Sequence, residues 1–183
     1  MRMVAPAYYT ADMVRALPED GKRYEVVHGE PLVTPSPPTW HQEIVGRLYR
    51  LLCSYVETDT PDLHVFASPA DISWSDDTLV QPDVFVVPVA EARTLDWTEI
   101  KDLQLVIEVL SPASTRADRF TKRRLYQERR IPAYWIVDGD ERAVEVWTPE
   151  AERPVIERGR VLWPPSGPTR PFTVVLEELF RAI

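Results

Sequence analysis

Residues 79–87, LVQPDVFVV, and residues 103–110, LQLVIEVL, decide the fold of this chain. Each is an apolar run of the length expected for a strand that is buried on both faces. Each also contains one acid, Asp83 in the first run and Glu108 in the second. An ionised carboxylate in such a strand is costly unless it is paired with a cation or binds a metal ion. The two runs therefore predict either two salt-bridged acids or two metal ligands, and both alternatives stand at this point.

The metal alternative has a definite chemistry. If the two strands are neighbours in a sheet, Asp83 and Glu108 place carboxylate oxygens a few ångströms apart. Oxygen ligands of this kind suit Mg²⁺ or Mn²⁺. Zinc is not expected, because the spacing of the three histidines matches no recognised zinc pattern.

A basic helix is predicted after the second strand, from about residue 116 to residue 130. On the helical wheel Lys122 shares a side with Leu125 and lies near Tyr126, which is the pattern of a packed stripe. A lysine on that stripe can lie beside the two carboxylates, where it would orient a water or neutralise charge on a phosphate. The alternative is that Lys122 extends past the sheet to solvent.

The same helix carries a candidate nucleic-acid contact. Residues 116–130 contain seven Arg or Lys residues and two acids. The arginines that group away from Lys122 are Arg116, Arg119, Arg123 and Arg130. They form either a contact with a nucleic-acid backbone or a solvated helix face. The formal net charge of −8 argues against broad non-specific DNA binding, which rests on neutralising phosphates.

The clearest helix begins near Thr39, where Gln42 three residues later suggests a capping box. It continues to about residue 57 with an apolar stripe formed by Ile44, Val45, Leu48, Leu51, Leu52 and Tyr55. Glu43 in its first turn either complements the helix dipole or faces the carboxylate pair as a further metal ligand. His41 either binds a phosphate or shuttles a proton, or it only packs and caps.

Several short motifs, in order along the chain, resemble the Uma family of restriction-endonuclease-like proteins within the PD-(D/E)XK nuclease superfamily. The matching segments are residues 24–30 (YEVVHGE), 35–37 (PSP), 41–42 (HQ), 81–83 (QPD), 108–112 (EVLSP), 122 (K), 126 (Y) and 132–138 (PAYWIVD). The resemblance implies an α/β fold with a central mixed sheet flanked by helices. It also implies a Mg²⁺- or Mn²⁺-dependent endonuclease that hydrolyses phosphodiester bonds of DNA.

The resemblance assigns roles to individual residues. Asp83 and Glu108 match the metal ligands, and the backbone carbonyl of Val109 matches a further ligand. The superfamily lysine two residues after the glutamate is replaced here by Leu110. In the Uma family this lysine lies on the following helix, where Lys122 is the matching position and Tyr126 supports it. The displaced lysine leaves open an alternative function, a non-catalytic nuclease-fold module that binds nucleic acid or a protein partner. RNA and branched DNA are further substrate alternatives.

Composition bounds these readings. With 183 residues, 44% of them hydrophobic, the chain is expected to form a single domain over residues 1–183. The one cysteine, Cys53, excludes an intramolecular disulfide. No signal peptide or membrane span is recognisable, so a cytoplasmic protein is expected. Cleavage of both DNA strands needs two sites, which favours a homodimer.

Further predicted elements include a short helix capped by Thr10, a hairpin within residues 23–33, and strands at 63–67, 71–74, 134–137 and 143–147. Glu25 in the hairpin is expected to be an exposed or turn acid.

Overall fold

The protein is described here from a computed structural model, which covers residues 8–167 and 169–183. The α-helices are α1 Ala11–Arg15, α2 Thr39–Asp59, α3 Val89–Ala92, α4 Arg123–Glu128 and α5 Leu176–Leu179. The strands are β1 Arg23–Val27, β2 Glu30–Thr34, β3 Leu63–Ala67, β4 Ile72–Ser75, β5 Thr78–Val80, β6 Val84–Pro88, β7 Leu105–Val109, β8 Tyr134–Asp138, β9 Ala143–Trp147, β10 Val155–Glu157, β11 Arg160–Trp163 and β12 Phe172–Val175.

A six-stranded sheet with the order β10-β9-β8-β7-β6-β3 forms the centre of the molecule. Strands β7 and β8 are parallel, and the other neighbours are antiparallel. The parallel pair needs a crossover connection, and residues 111–133 supply it as a loop and a helix. The predicted α/β fold with a central mixed sheet is therefore confirmed.

Helices cover both faces of this sheet. Helix α2 packs its buried residues Ile44, Leu48 and Leu52 against one face, in a core that includes Trp135 of β8. On the opposite face Leu125 and Tyr126 pack in a second core. Because side chains alternate along a strand, β7 sends Leu105, Ile107 and Val109 to the α2 face and sends Val106 and Glu108 to the other.

A smaller sheet with the order β2-β1-β5-β4 adjoins the second face. Strands β1 and β2 form the predicted hairpin, and its turn residues His28 and Gly29 have φ values of 50° and 80°. Such a pair of positive φ angles matches the twist of a tight hairpin. Strand β5 runs through residues 81–83 into β6, so the chain itself ties the small sheet to the edge of the large one.

Three details differ from the sequence expectation. The run 79–87 is two strands, β5 and β6, separated at residues 81–83, because Pro82 has no N–H to continue a ladder. The helix over 116–130 is a π-helical segment, Ala117–Lys122, followed by α4. The capping box at Thr39 is wrong: Thr39 already lies in the helix, and its N-cap is Pro38 without a side-chain cap. None of the helices in the described residues combines the length and hydropathy needed to cross a membrane.

Candidate active site: a buried cluster of charged residues

Asp83 and Glu108 lie side by side at one end of the β6–β7 pair. Val84 is paired with Ile107 in the antiparallel register, so the next step along both strands places Asp83 opposite Glu108. Opposed residues of an antiparallel pair have neighbouring Cβ atoms on the same face of the sheet. Both side chains are buried, with residue exposures of 2% and 1%. The structure thus brings together the two acids that the sequence singled out.

Lys122 reaches this carboxylate pair from the crossover helix. Its Nζ lies 3.0 Å from Glu108 Oε1, 3.0 Å from Glu25 Oε2 and 3.3 Å from Asp118 Oδ1. The residue is 2% exposed, so the alternative of a lysine that extends to solvent is wrong. Tyr126 Oη donates a hydrogen bond of 3.1 Å to Glu108 Oε1, one helical turn beyond Lys122. The two side chains together fix the orientation of the glutamate.

Asp83 has a separate set of donors. Arg23 donates to its Oδ1 at 2.9 Å, and the backbone N–H of Val109 donates to its Oδ2 at 2.9 Å. His41 Nε2 lies 3.2 Å from the same Oδ2, and its ring is buried. His41 is therefore part of the cluster rather than a helix cap, because the first turn of α2 points at the end of β6.

The cluster holds more negative than positive charge. Its carboxylates belong to Glu25, Asp83, Glu108 and Asp118, and its permanent cations are Arg23 and Lys122. Burial would lower the pKa of Lys122, but the three surrounding carboxylates raise it well above the ordinary value. Lys122 is therefore a fixed ammonium and not a general base.

The two central carboxylates respond to this environment in opposite directions. Burial raises the pKa of Glu108 well above its ordinary value; the charge of Lys122 opposes this rise, and the charges of Asp118 and Asp83 add to it. Burial acts the same way on Asp83, but the hydrogen bond from His41 and the charge of Arg23 hold its pKa below the ordinary value. The pKa of Asp118 is raised, first by burial. The cluster thus takes up positive charge readily, as protons or as a bound cation.

A small cavity of about 20 Å³ lies at the centre of the cluster, enough for one water or one ion. Asp83, Glu108 and Lys122 line it, and the loop carrying Pro35 and Pro37 closes one side. Of the lining residues, His41 carries a buried polar atom, Nδ1, with no hydrogen-bond partner among the described residues. Asp118 Oδ1 makes no hydrogen bond either, but it lies 3.3 Å from Lys122 Nζ. The cavity therefore offers one unused polar group, the His41 Nδ1, to a small ligand.

Comparison with known families identifies the chain. Residues 11–171 match the model of the Uma2 family, whose description is "Putative restriction endonuclease". This chain belongs to the Uma2 family. The family supports a nuclease function for the protein.

A solved structure shares the fold of this Uma2 protein. It is the crystal structure of a "putative nuclease belonging to DUF820" from Anabaena variabilis, 22% identical in sequence, with a TM-score of 0.73. The match covers 94% of this chain and 97% of the other. A search of curated proteins finds no matching sequence.

Asp83 and Glu108 of this Uma2 chain are oxygen donors of the kind that hard divalent cations such as Mg²⁺ prefer. Within residues 8–167 and 169–183, no group of three or more His, Cys, Asp or Glu side chains is placed so that it could hold a metal ion. Magnesium, however, usually takes only one or two carboxylates and completes its octahedron with waters and substrate phosphates. Asp83 and Glu108 supply two carboxylates in a cluster with excess negative charge, which is the part that a protein must provide.

Glu43 lies outside the cluster. Its Oε1 pairs with Arg47 at 2.6 Å, and Arg47 in turn donates to the carbonyls of Leu179 and Arg181. Although His41 and Glu43 are only two residues apart, α2 directs them to different sides. The structure therefore does not place Glu43 as a further ligand; it joins α2 to the C-terminal segment.

Most of the predicted basic contact is engaged within the protein. Arg119 bridges Asp138 and Glu145 on the neighbouring strands. Arg123 lies over the Trp147 ring at 4.7 Å. Arg130 pairs with Glu150 on the surface at 2.6 Å. Of the four arginines predicted to contact nucleic acid, Arg116 alone has no ion pair, side-chain hydrogen bond or cation–π contact among the described residues.

Three members of the cluster were missed from the sequence: Arg23, Glu25 and Asp118. Glu25 is 1% exposed instead of exposed, and its Oε1 accepts the backbone N–H of Gln81. The signal was present, since Arg23, Glu25 and Val27 alternate on one face of a strand whose other positions are apolar or aromatic. Asp118, four residues before Lys122, had the helical spacing of a paired acid.

Proposed function

We propose that the protein is a Mg²⁺- or Mn²⁺-dependent endonuclease that hydrolyses phosphodiester bonds of DNA. Asp83 and Glu108 are the metal ligands, and the backbone carbonyl of Val109 is a further ligand. Lys122, Tyr126 and His41 hold these ligands and the attacking water in place.

One observation carries the proposal. Asp83 and Glu108 occupy opposed positions at the end of two paired strands, with Lys122 Nζ 3.0 Å from Glu108. The buried carboxylates outnumber the permanent cations, which is an expensive arrangement for stability alone. Such an arrangement is accounted for when a divalent cation contributes the missing charge. Membership of the Uma2 family supports the same reading.

Each residue has a chemical task in this proposal. When bound, Mg²⁺ or Mn²⁺ polarises the scissile phosphate and lowers the pKa of the attacking water. Lys122 keeps its proton, so it donates hydrogen bonds and stabilises negative charge that develops on the phosphate. Tyr126 and Lys122 orient Glu108, while Arg23 and the Val109 N–H orient Asp83.

A second candidate function is a non-catalytic nuclease-fold module that binds nucleic acid or a protein partner. The observation in its favour is closure of the site. The cavity of about 20 Å³ cannot hold a phosphodiester, and Lys122 already faces three carboxylates. Under the catalytic proposal, the loop that carries Pro35 and Pro37 therefore moves when substrate binds. Under the alternative, it stays closed.

The test combines metal binding with cleavage. Mn²⁺ is titrated calorimetrically into the parent protein, Asp83→Asn and Glu108→Gln, and the same proteins are incubated with plasmid DNA and with RNA in Mg²⁺ or Mn²⁺. Glu43→Gln is the matched control, because it also removes a carboxylate of the region but lies outside the cluster. Circular dichroism and urea unfolding verify that each variant is folded.

The parent protein and Glu43→Gln are expected to bind Mn²⁺ and cleave DNA. Asp83→Asn and Glu108→Gln are expected to lose Mn²⁺ binding and to cleave at least about 100-fold more slowly, which is the usual effect of removing a group that stabilises transition-state charge. Cleavage by Asp83→Asn at the parent rate would refute the proposal. No Mn²⁺ binding to the parent, with or without DNA, would favour the non-catalytic module.

We also propose that the protein acts as a homodimer, because cleavage of both strands of a duplex needs two active sites. Light scattering after size-exclusion chromatography tests it with the parent protein. A monomeric mass together with nicking of only one strand would contradict the dimer and leave the single-site chemistry intact.

A further inference from the structure

A large cavity lies beside the charged cluster. It is a groove of about 700 Å³ between the β1–β2 hairpin and the crossover helix. Val27, His28 and Glu30 line the hairpin side, and Arg116, Phe120 and Arg124 line the helix side. We call this feature the hairpin–helix groove.

The helix side of the groove presents charge and an aromatic ring in one row. Arg116, Phe120 and Arg124 follow each other at intervals of four residues, so they share one face of the helix. Phe120 is 55% exposed, which is unusual for a large apolar side chain in the middle of a packed helix. An exposed aromatic ring between two cations has no role in the core of this protein.

The two arginines are available to a ligand. Among the residues that the structure describes, neither Arg116 nor Arg124 has a carboxylate within salt-bridge distance or a side-chain hydrogen bond. Arg119, Arg123 and Arg130 on the same helix are all engaged in intramolecular contacts. The free positive charge of the helix is therefore concentrated in the groove.

The acids of the groove lie toward its hairpin side and its far end. Glu128 Oε2 lies 2.8 Å from His28 Nε2, which holds it toward the hairpin, and Glu30 belongs to β2. The groove also adjoins the cluster through shared elements. Strand β1 directs Glu25 to the cluster and Val27, two residues later, to the groove, and Lys122 follows the groove residue Thr121.

We propose that the hairpin–helix groove binds a single DNA strand, with backbone phosphates at Arg116 and Arg124 and an unpaired base stacked on Phe120. Arginines beside an exposed aromatic platform are a usual means by which proteins hold single strands without reading their sequence. The inference rests on the proposed function and narrows its substrate to DNA that has unpaired bases, such as single strands, flaps and branch points.

The test measures binding without cleavage. Fluorescence anisotropy follows a labelled oligothymidylate of about 12 nucleotides and the matching duplex in EDTA, with salt varied from about 50 to 200 mM. The variants are Phe120→Ala, Phe120→Trp and Arg116→Gln/Arg124→Gln. Arg130→Gln is the matched control, because it removes an exposed arginine that lies two residues after α4 and outside the groove.

Parent, Phe120→Trp and Arg130→Gln are expected to bind the single strand more tightly than the duplex. Phe120→Ala should weaken single-strand binding by about 5- to 100-fold, which is the usual contribution of one base–aromatic stack. The double arginine variant should reduce the slope of log affinity against log salt by about 1.4, because each phosphate contact on a single strand contributes about 0.7.

Equal binding of the single strand by parent, Phe120→Ala and the double arginine variant would overturn the inference, and the groove would then serve a different partner. A parent that binds no oligonucleotide would overturn it as well. These results are separable from the proposed catalysis, because the assay contains no divalent metal and measures binding alone. A parent protein that binds the single strand through Phe120 but cleaves no DNA would refute the nuclease proposal and leave the groove proposal intact.

Discussion

The two faces of the six-stranded sheet are built from the same strands but differ in purpose. On one face, α2 packs against aliphatic and aromatic side chains, among them Leu48, Ile107 and Trp135. On the other, the apolar layer ends in a buried cluster of charges around Glu108 and Lys122. The alternation of β7 explains the contrast, since Ile107 and Glu108 are neighbours in sequence and point to opposite faces.

The two faces contribute to stability in different ways. Burial of apolar surface on the α2 face is favourable for every side chain that is added. Burial of charge on the other face is favourable only while each charge keeps its partners. Single substitutions on the two faces should therefore cause similar losses in the free energy of unfolding. They should differ in how that loss depends on pH and in whether a second substitution can recover part of it.

The largest effect is expected on the charged face. Lys122→Met retains much of the side-chain volume but leaves three buried carboxylates without their cation, so the free energy of unfolding should fall by about 3–5 kcal/mol. Urea unfolding at neutral pH measures the loss. Adding Glu108→Gln should recover part of it, because one of the unpaired charges is then removed. A loss below about 1 kcal/mol for Lys122→Met would contradict the role of the lysine as the centre of the cluster.

The next effect belongs to the apolar face. Leu48 is fully buried between α2 and the sheet, and Leu48→Ala should cost about 2–5 kcal/mol through lost burial and a cavity. Urea unfolding at several pH values should show the same loss at each, since no titrating group is involved. The exposed Leu51 of the same helix is the matched control, and Leu51→Ala should change stability far less. A strongly pH-dependent loss for Leu48→Ala would indicate that the two faces are coupled.

The two central acids should give opposite pH dependences. The pKa of Glu108 is raised above 4.5 in the folded protein, so its stabilising contribution is present below that value and is lost as pH rises through the folded pKa. The pKa of Asp83 is lowered below 3.8, so its contribution is present above that value and is lost as pH falls through the folded pKa.

Glu108→Gln should therefore gain stability relative to the parent as pH rises above about 5. Asp83→Asn should lose stability at neutral pH and approach the parent in acid. Each unit of difference between the folded and unfolded pKa contributes about 1.4 kcal/mol to the free energy of unfolding. Urea unfolding in EDTA at about pH 2.5, 4, 6 and 8 measures both, the lowest pH being the one that tests Asp83. The same sign for the two variants would show that the acids do not occupy distinct environments.

The smallest effect concerns Tyr126. Tyr126→Phe removes the hydrogen bond to Glu108 and keeps the ring that packs on Tyr134, so the expected loss of stability is about 1 kcal/mol. In the proposed nuclease the same change should reduce the cleavage rate more than Mn²⁺ affinity, because Lys122 still holds the glutamate. An unchanged rate would limit Tyr126 to packing.

Local pattern was sufficient for most elements. Strands β3, β8 and β9, the hairpin β1–β2 and the cap of α1 by Thr10 were predicted because apolar runs, turn residues and a capping side chain act within a few residues of one another. Asp83, Glu108 and Lys122 stood out because a charge in a buried run or stripe is rare. The break at Pro82 was not predicted, because the apolar run continues on both sides of it. The π-helical segment was not predicted, because the basic pattern continues through it unchanged.

The mixed α/β class, the family membership and the identity of three central residues could be read from the sequence alone. Tertiary packing was needed to show that Glu25 and Arg23 of β1 complete the cluster and that Glu43 leaves it. It was also needed to show that Arg116, together with Arg124 from outside the four predicted arginines, opens into a groove. The physical reason is distance along the chain. Glu25 meets Lys122 across almost 100 residues, and such a contact follows from the packing of two sheets and a helix, which local periodicity does not encode.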